Sequence, residues 1–169
     1  AVEPEVLKLY AKHYETREVI PDELITKIQN QGTFNQGFMT TELLAAALLD
    51  MELHNLTDTE NLNVVAFEKE TMDKLGLIPE IAPRYRATYF SHIIGGYAAG
   101  YYSYLWAEVL DTDAFEAFKE HGVFDKNTAD SFRKNILEKG GTEDPMTLYR
   151  GFRGADPSLE PLLKNRGLK

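Results

Sequence analysis

Residues 42–53, Glu-Leu-Leu-Ala-Ala-Ala-Leu-Leu-Asp-Met-Glu-Leu, are apolar at nearly every position, and a helix that is hydrophobic on all sides has to be buried. The rest of the chain must therefore wrap around it. Thr40 or Thr41 supplies an N-cap, so the spacing predicts a central helix running from there to Leu53. The flanking segments carry amphipathic helical patterns. Pro4 suits a first helical turn, and Val6, Leu7, Leu9, Tyr10 and Tyr14 recur at helical spacing over residues 5–14. Pro21-Asp22-Glu23 opens a second stripe through Leu24, Ile25 and Ile28 that Gly32 closes, and the two read as a helical hairpin. Residues 64–75 place Phe67, Met72 and Leu75 inward, and Gly76 and Pro79 stop that helix. Residues 78–83, with two prolines and no period, form an extended connection. A short helix is expected over 84–92, a tyrosine-rich one over 97–110, and further helical segments over 113–119, 127–137, 142–149 and 157–163. No strand pattern, internal repeat or linker interrupts this series. The reading is all-α, a single multi-helix domain over residues 1–169.

A net charge of -9 argues against nucleic acid as a partner, since that binding depends on clustered Lys and Arg. No cysteine is present, which removes disulfides, thiolate metal ligands and a thiol nucleophile and suits a reducing, cytoplasmic setting. No apolar run reaches the length of a membrane span, and the first residues do not resemble a secretory signal.

The chemistry is concentrated in His92-Ile-Ile-Gly-Gly-Tyr-Ala-Ala-Gly-Tyr-Tyr-Ser-Tyr-Leu-Trp106. A buried phenol without a partner costs about 1–3 kcal/mol, so several in one run point to a wet, polar-lined pocket. On a helix at about 100° per residue, Tyr97, Tyr101, Tyr104 and Glu108 fall within about 60° of one another. Tyr102, Leu105, Trp106 and Val109 lie opposite, giving one face to pack and one to present hydroxyls. Gly95, Gly96 and Gly100 weaken the start of that helix and allow movement beside the donors. An aromatic core helix whose hydroxyls meet backbone carbonyls is the plainer alternative.

The other candidates are sparser. Asp50 and His54 share a helix face, but two ligands make half a metal site, and solvated or capping roles are expected of them. His121 precedes Gly122 at a helix end, where an imidazole caps free carbonyls. For His92 a structural and a functional role stand equal. Arg84 and Arg86, flanking Tyr85, are able to receive a carboxylate in bidentate fashion, although salt bridges are the commoner fate. The acidic stretch 111–120 reads as a solvated helix face.

The tyrosine and glycine segment resembles that of the thimet oligopeptidase and oligopeptidase A family of zinc metallopeptidases, most of all its bacterial peptidyl-dipeptidase branch. The resemblance extends through Phe34-Asn-Gln-Gly-Phe38, Glu42 to Met51, Pro83-Arg-Tyr-Arg86 and Arg166-Gly-Leu168, essentially the whole chain. It implies the C-terminal part of a larger helical enzyme whose zinc ligands, an H-E-x-x-H helix and a later glutamate, lie in the N-terminal remainder. No metal ligand is then expected in this chain, and the fragment alone is expected to be inactive. The substrate implied is an oligopeptide, from whose C-terminus dipeptides are released. Within the motif, Tyr104 and His92 match catalytic positions, Tyr97 and Tyr101 substrate-facing ones, and Gly95-Gly96 a loop that closes over the peptide. Arg84 and Arg86 are candidates to grip the substrate's terminal carboxylate. The rival expectation is a non-catalytic helical module that binds peptides.

Overall fold

The computed structural model describes residues 2–169. Eight α-helices follow in order: α1 (Pro4–Tyr10), α2 (Asp22–Gln31), α3 (Gln36–His54), α4 (Val64–Lys74), α5 (Ser103–His121), α6 (Lys126–Phe132), α7 (Pro145–Arg153) and α8 (Glu160–Asn165). Two 3₁₀ turns, Ala87–Tyr89 and Ser91–Ile94, separate α4 from α5, and α6 runs on into a π-helical turn, Arg133–Leu137. Among the described residues the only extended pairing is one antiparallel bridge between Lys12 and Val19. The fold is all-α, as the sequence pattern predicts.

The helix α3 is the organising element, and its three consecutive alanines explain how. Ala45, Ala46 and Ala47 are buried with Leu49, and their small side chains let neighbours approach on two sides. On one side Ala46 and Ala47 meet Phe90, Ile93 and Tyr101. On the other, Ala45 and Leu49 meet Met72 of α4 and Ala87. Phe90, between the two 3₁₀ turns, has no exposed surface, a burial worth about 1.5–3 kcal/mol. The second half of the chain packs around α5, against α6 and α8. There Phe118, Phe132 and Phe152 form a ring cluster with centroids 5.2–6.3 Å apart. An apolar cleft of about 380 Å³ opens between α5, the π turn and α7, lined by Leu110, Phe115, Phe132, Ile136 and Leu148.

Several boundaries differ from expectation for identifiable reasons. Helix α1 ends at Tyr10, because Ala11 turns extended and the chain folds back through the Lys12–Val19 bridge; Tyr14 is left exposed. Thr41 does not cap α3. Its hydroxyl donates to the Gly37 carbonyl at 2.8 Å, a bond available only inside a helix, and α3 starts a full turn earlier behind Asn35. Nor is α3 buried all round, since Leu44 and Leu48 are exposed. Leu75, expected inward, sits exposed at the end of α4. The segment 113–119 is not a separate helix but the second half of α5. Asn63, Asp125 and Asp144 cap α4, α6 and α7 through side-chain acceptors, each as a short polar residue before a helix should.

Candidate functional site

The tyrosine helix does not begin at residue 97. Residues 95–102 are a succession of turns, and the α-helix starts only at Ser103. Three glycines in six residues disfavour helix there, and Ala99 adopts a left-handed backbone with φ 51°. The side chains converge all the same, by wrapping rather than by helical phase. The Tyr97 and Tyr104 rings stack with centroids 5.3 Å apart and an interplanar angle of 16°. Tyr101 meets Tyr104 at 5.0 Å, and the His92 ring lies 5.9 Å from Tyr97, 5.3 Å from Tyr101 and 6.2 Å from Tyr104.

Burial divides the cluster into a base and a mouth. Tyr101 is 3% exposed and stands edge-on to Phe90, while Tyr97 and Tyr104 remain 45% and 40% exposed. Tyr85 closes the base, stacked on Phe90 at 5.0 Å and tilted against His92 at the same distance. The Nδ1 atom of His92 is buried and has no hydrogen-bond partner among the described residues. A buried polar atom so left normally has a partner supplied from elsewhere. The face predicted to pack behind the tyrosines does so only in part: Val109 is buried, but Tyr102 and Trp106 are 55% and 47% exposed. None of these residues lines the apolar cleft beside α7.

Two of the phenols, those of Tyr104 and Tyr101, are biased to keep their protons. A hydrogen bond with Tyr97 raises the pKa of the Tyr104 phenol above its ordinary value, with desolvation acting in the same direction. Burial raises that of Tyr101, against an opposing hydrogen bond from Arg84. Both phenols thus remain donors across the neutral range.

The two arginines part company. Arg84 reaches Tyr101 and donates through Nε and Nη2 to one oxygen of Glu42 at 3.3 and 3.2 Å. Arg86 turns to α4, where it pairs with Glu68, a carboxylate only 3% exposed. Glu68 also accepts the Ala87 amide at 2.6 Å, so Arg86 neutralises a structural anion beneath the first 3₁₀ turn. None of the ring contacts of the cluster involves it. Gly95 and Gly96 are exposed, and a Cβ at either meets nothing within 4 Å. Packing inside the chain does not require these glycines.

Asp50 departs from expectation. It is fully buried rather than solvated, and its two oxygens accept the amides of Ala99 and Tyr101, each at 2.9 Å. His54 Nδ1 lies 2.8 Å from the Asp50 carbonyl and 2.9 Å from its carboxylate. An acid at position 50 inside the apolar run 43–51 was the available signal, since an ionised group enters a core only with partners. His121 faces the Thr128 hydroxyl at 3.4 Å rather than capping free carbonyls. The stretch 111–120 is not simply solvated either, because Asp113 is buried and bonded to Tyr149 and Arg153. Among the described residues no group of three or more His, Asp and Glu is placed to hold a metal ion. The chain's own residues do not fit a zinc site. Among the described residues no helix is long and apolar enough to cross a membrane.

Comparison with known proteins gives a consistent picture. The model of peptidase family M3 matches residues 1–168. The chain is 44% identical to the dipeptidyl carboxypeptidase of Escherichia coli (strain K12), over 99% of this chain and 25% of that protein. It is 41% identical to the dipeptidyl carboxypeptidase of Salmonella typhimurium, with the same coverage of each. Against oligopeptidase A of Escherichia coli the identity is 39%, again over 99% and 25%. The chain spans a quarter of the length of these relatives.

Proposed function

The chain belongs to peptidase family M3, and on that premise we propose that it is the C-terminal quarter of a zinc-dependent peptidyl-dipeptidase, where it forms one wall of the peptide cleft. The observation that carries this reading is the convergence of Tyr97, Tyr104 and His92 over a buried aromatic base, with two phenols open to the outside. The metal belongs to the upstream remainder of the enzyme.

The role of this chain is to bind and to stabilise charge. When a peptide carbonyl is attacked, its oxygen gains negative charge, and a positioned donor lowers the barrier. Tyr104 donates that hydrogen bond. Tyr97 stacks against it and holds its orientation, and the substrate backbone meets Tyr97 and His92. The unpartnered Nδ1 of His92 supports this assignment, because substrate supplies the missing partner once the 95–96 segment moves. Tyr101 anchors the cluster from below. Of the two arginines we assign the grip on a terminal carboxylate to Arg84, which lies beside Tyr101 and is exposed enough to exchange Glu42 for substrate. We assign dipeptide release from the C-terminus rather than endo-cleavage, following the 44% identity to the dipeptidyl carboxypeptidase of Escherichia coli. We further propose that the enzyme is cytoplasmic and that nucleic acid is not a partner, given a net charge of -9.

The test is steady-state kinetics on the full-length enzyme carrying Tyr104→Phe. Loss of one oxyanion donor should lower kcat about 100- to 1000-fold. Full kcat in that variant would remove Tyr104 from the reaction. Tight peptide binding with no hydrolysis by the intact zinc-loaded protein would favour a non-catalytic binding module instead.

A further inference from the structure

Asp50 sits one turn before the C-terminal end of α3 with none of its surface exposed. Its Oδ1 accepts the Ala99 amide and faces His54 Nδ1, and its Oδ2 accepts the Tyr101 amide, all at 2.9 Å. Both oxygens are therefore engaged. The two amides flank Gly100, at the point where the turns of residues 95–102 run into α5. Ala99, which carries the first of them, has φ 51°, a conformation alanine keeps only where its surroundings hold it. The carboxylate is that hold: two backbone donors spaced i and i+2 converge on one anion, through bonds of the charge-assisted class.

The consequence reaches the reacting groups. Fixing the Tyr101 amide sets the Tyr101 ring against Phe90 at 4.9 Å and His92 at 5.3 Å. Tyr104, three residues on, rests on Tyr101, and Tyr97, two residues before Ala99, stacks on Tyr104. A rigid core helix thus controls a glycine-rich loop through one side chain.

We infer that Asp50, steadied by His54, is a positioning residue for the peptidase reaction, holding the 99–101 backbone so that Tyr97 and Tyr104 face His92 in the competent arrangement. The inference rests on the peptidase reading above. Asp50 acts through the backbone amides of Ala99 and Tyr101. Asp50→Asn preserves its shape but presents an amide group where two N–H donors need acceptors, and the loop must shift to escape the clash.

The experiment uses the full-length, zinc-loaded enzyme, with kinetics on a dipeptide-releasing substrate and hydrogen exchange over residues 95–102. In Asp50→Asn, exchange at Ala99 and Tyr101 should accelerate and kcat fall about 100-fold, with KM changed far less, as expected when a catalytic donor is misplaced by about 1 Å. In a Tyr104→Phe background the same substitution should remove little further activity, because its effect passes through the lost phenol. Wild-type kcat in Asp50→Asn, or losses from the two substitutions that simply multiply, would overturn the inference. If Asp50→Asn does not fold, His54→Ala decides, since His54 is one-third exposed at the helix end. Faster exchange and a kcat lowered about tenfold, the lower range for loss of a supporting hydrogen bond, are then expected; unchanged exchange and kcat overturn it. Should the full-length, zinc-loaded wild type release no dipeptide, the peptidase reading fails; should Tyr104→Phe alone keep full kcat, the role of Tyr104 fails; an impaired Tyr104→Phe beside a fully active Asp50→Asn sinks only the role of Asp50.

Discussion

Tyr149→Phe removes one hydroxyl from a buried ionic knot, and the structure sets both its cost and its pH dependence. Asp113 of α5 is 4% exposed, accepts the Tyr149 hydroxyl, and is approached by Arg153 Nε at 3.3 Å. Arg153 is itself held by both oxygens of Glu120, at 3.0 and 3.2 Å. Without the phenol, the carboxylate keeps its countercharge but loses its neutral donor. A hydrogen bond to a charged group contributes about 1.5–3 kcal/mol, and the ring packing is unchanged, so the loss at neutral pH should be about 2 kcal/mol. For a chain of this size that corresponds to a Tm lower by about 4–8 °C. Burial raises the Tyr149 pKa well above that of a free tyrosine, and the Asp113 charge acts the same way. The contribution of this residue is therefore complete below about pH 10, where unfolded tyrosine titrates, and is lost as pH rises toward the folded value. In that interval the wild type loses about 1.4 kcal/mol per pH unit on account of Tyr149, and the variant loses none. Urea unfolding followed by circular dichroism at neutral pH and across about pH 10 to 11 should show the two free energies converge. A gap that stays constant through that range, or a gap at neutral pH near zero, would refute the assignment.

Three further substitutions probe the C-terminal segment. Arg166→Met should destabilise by about 2–3 kcal/mol in the same assay, below the cost of breaking a fully buried pair, because its partner Glu108 is 31% exposed; no change would mean that the pair contributes nothing. Gly167→Ala should cost about 1–2 kcal/mol, and more than Gly154→Ala. Both glycines have positive φ, but only at Gly167 does a Cβ meet a neighbour, the Thr33 side chain at 3.1 Å; equal losses would show that Thr33 yields freely.

Most of the scaffold was legible because it rests on local signals. Pro4 at the start of α1, Pro21-Asp22-Glu23 at the start of α2, glycines after α2 and α4, and the alanine and leucine run of α3 each act within one helical turn of themselves. The residues of the cluster were legible as well, since His92, Tyr97, Tyr101 and Tyr104 share one short segment. Their mode of assembly was not. Helical phase put three tyrosines on one face, whereas the structure reaches the same convergence through turns that an anion 49 to 51 residues away holds in place. Asp50 and Glu68 were missed for a common reason: each carboxylate serves backbone amides of the irregular segment 87–101, and a partner that is a backbone amide leaves no trace in side-chain spacing. Arg86 illustrates the reverse. Beside Arg84 in sequence it resembled a carboxylate receptor, but its own receptor was already within the fold.

The clasp made by Arg166 bears on how long the folded state lasts. Its guanidinium joins Thr40, 126 positions earlier, at 2.5 Å, and also holds Glu108. Closing a loop of that length costs about 4 kcal/mol in chain entropy, so the contact forms late, after the helices between have docked. Interactions absent from the folding transition state set the unfolding rate rather than the folding rate. The clasp therefore acts as a latch: loss of Arg166 should leave refolding nearly as fast while shortening the lifetime of the native arrangement in which α3, and with it Asp50, stays seated.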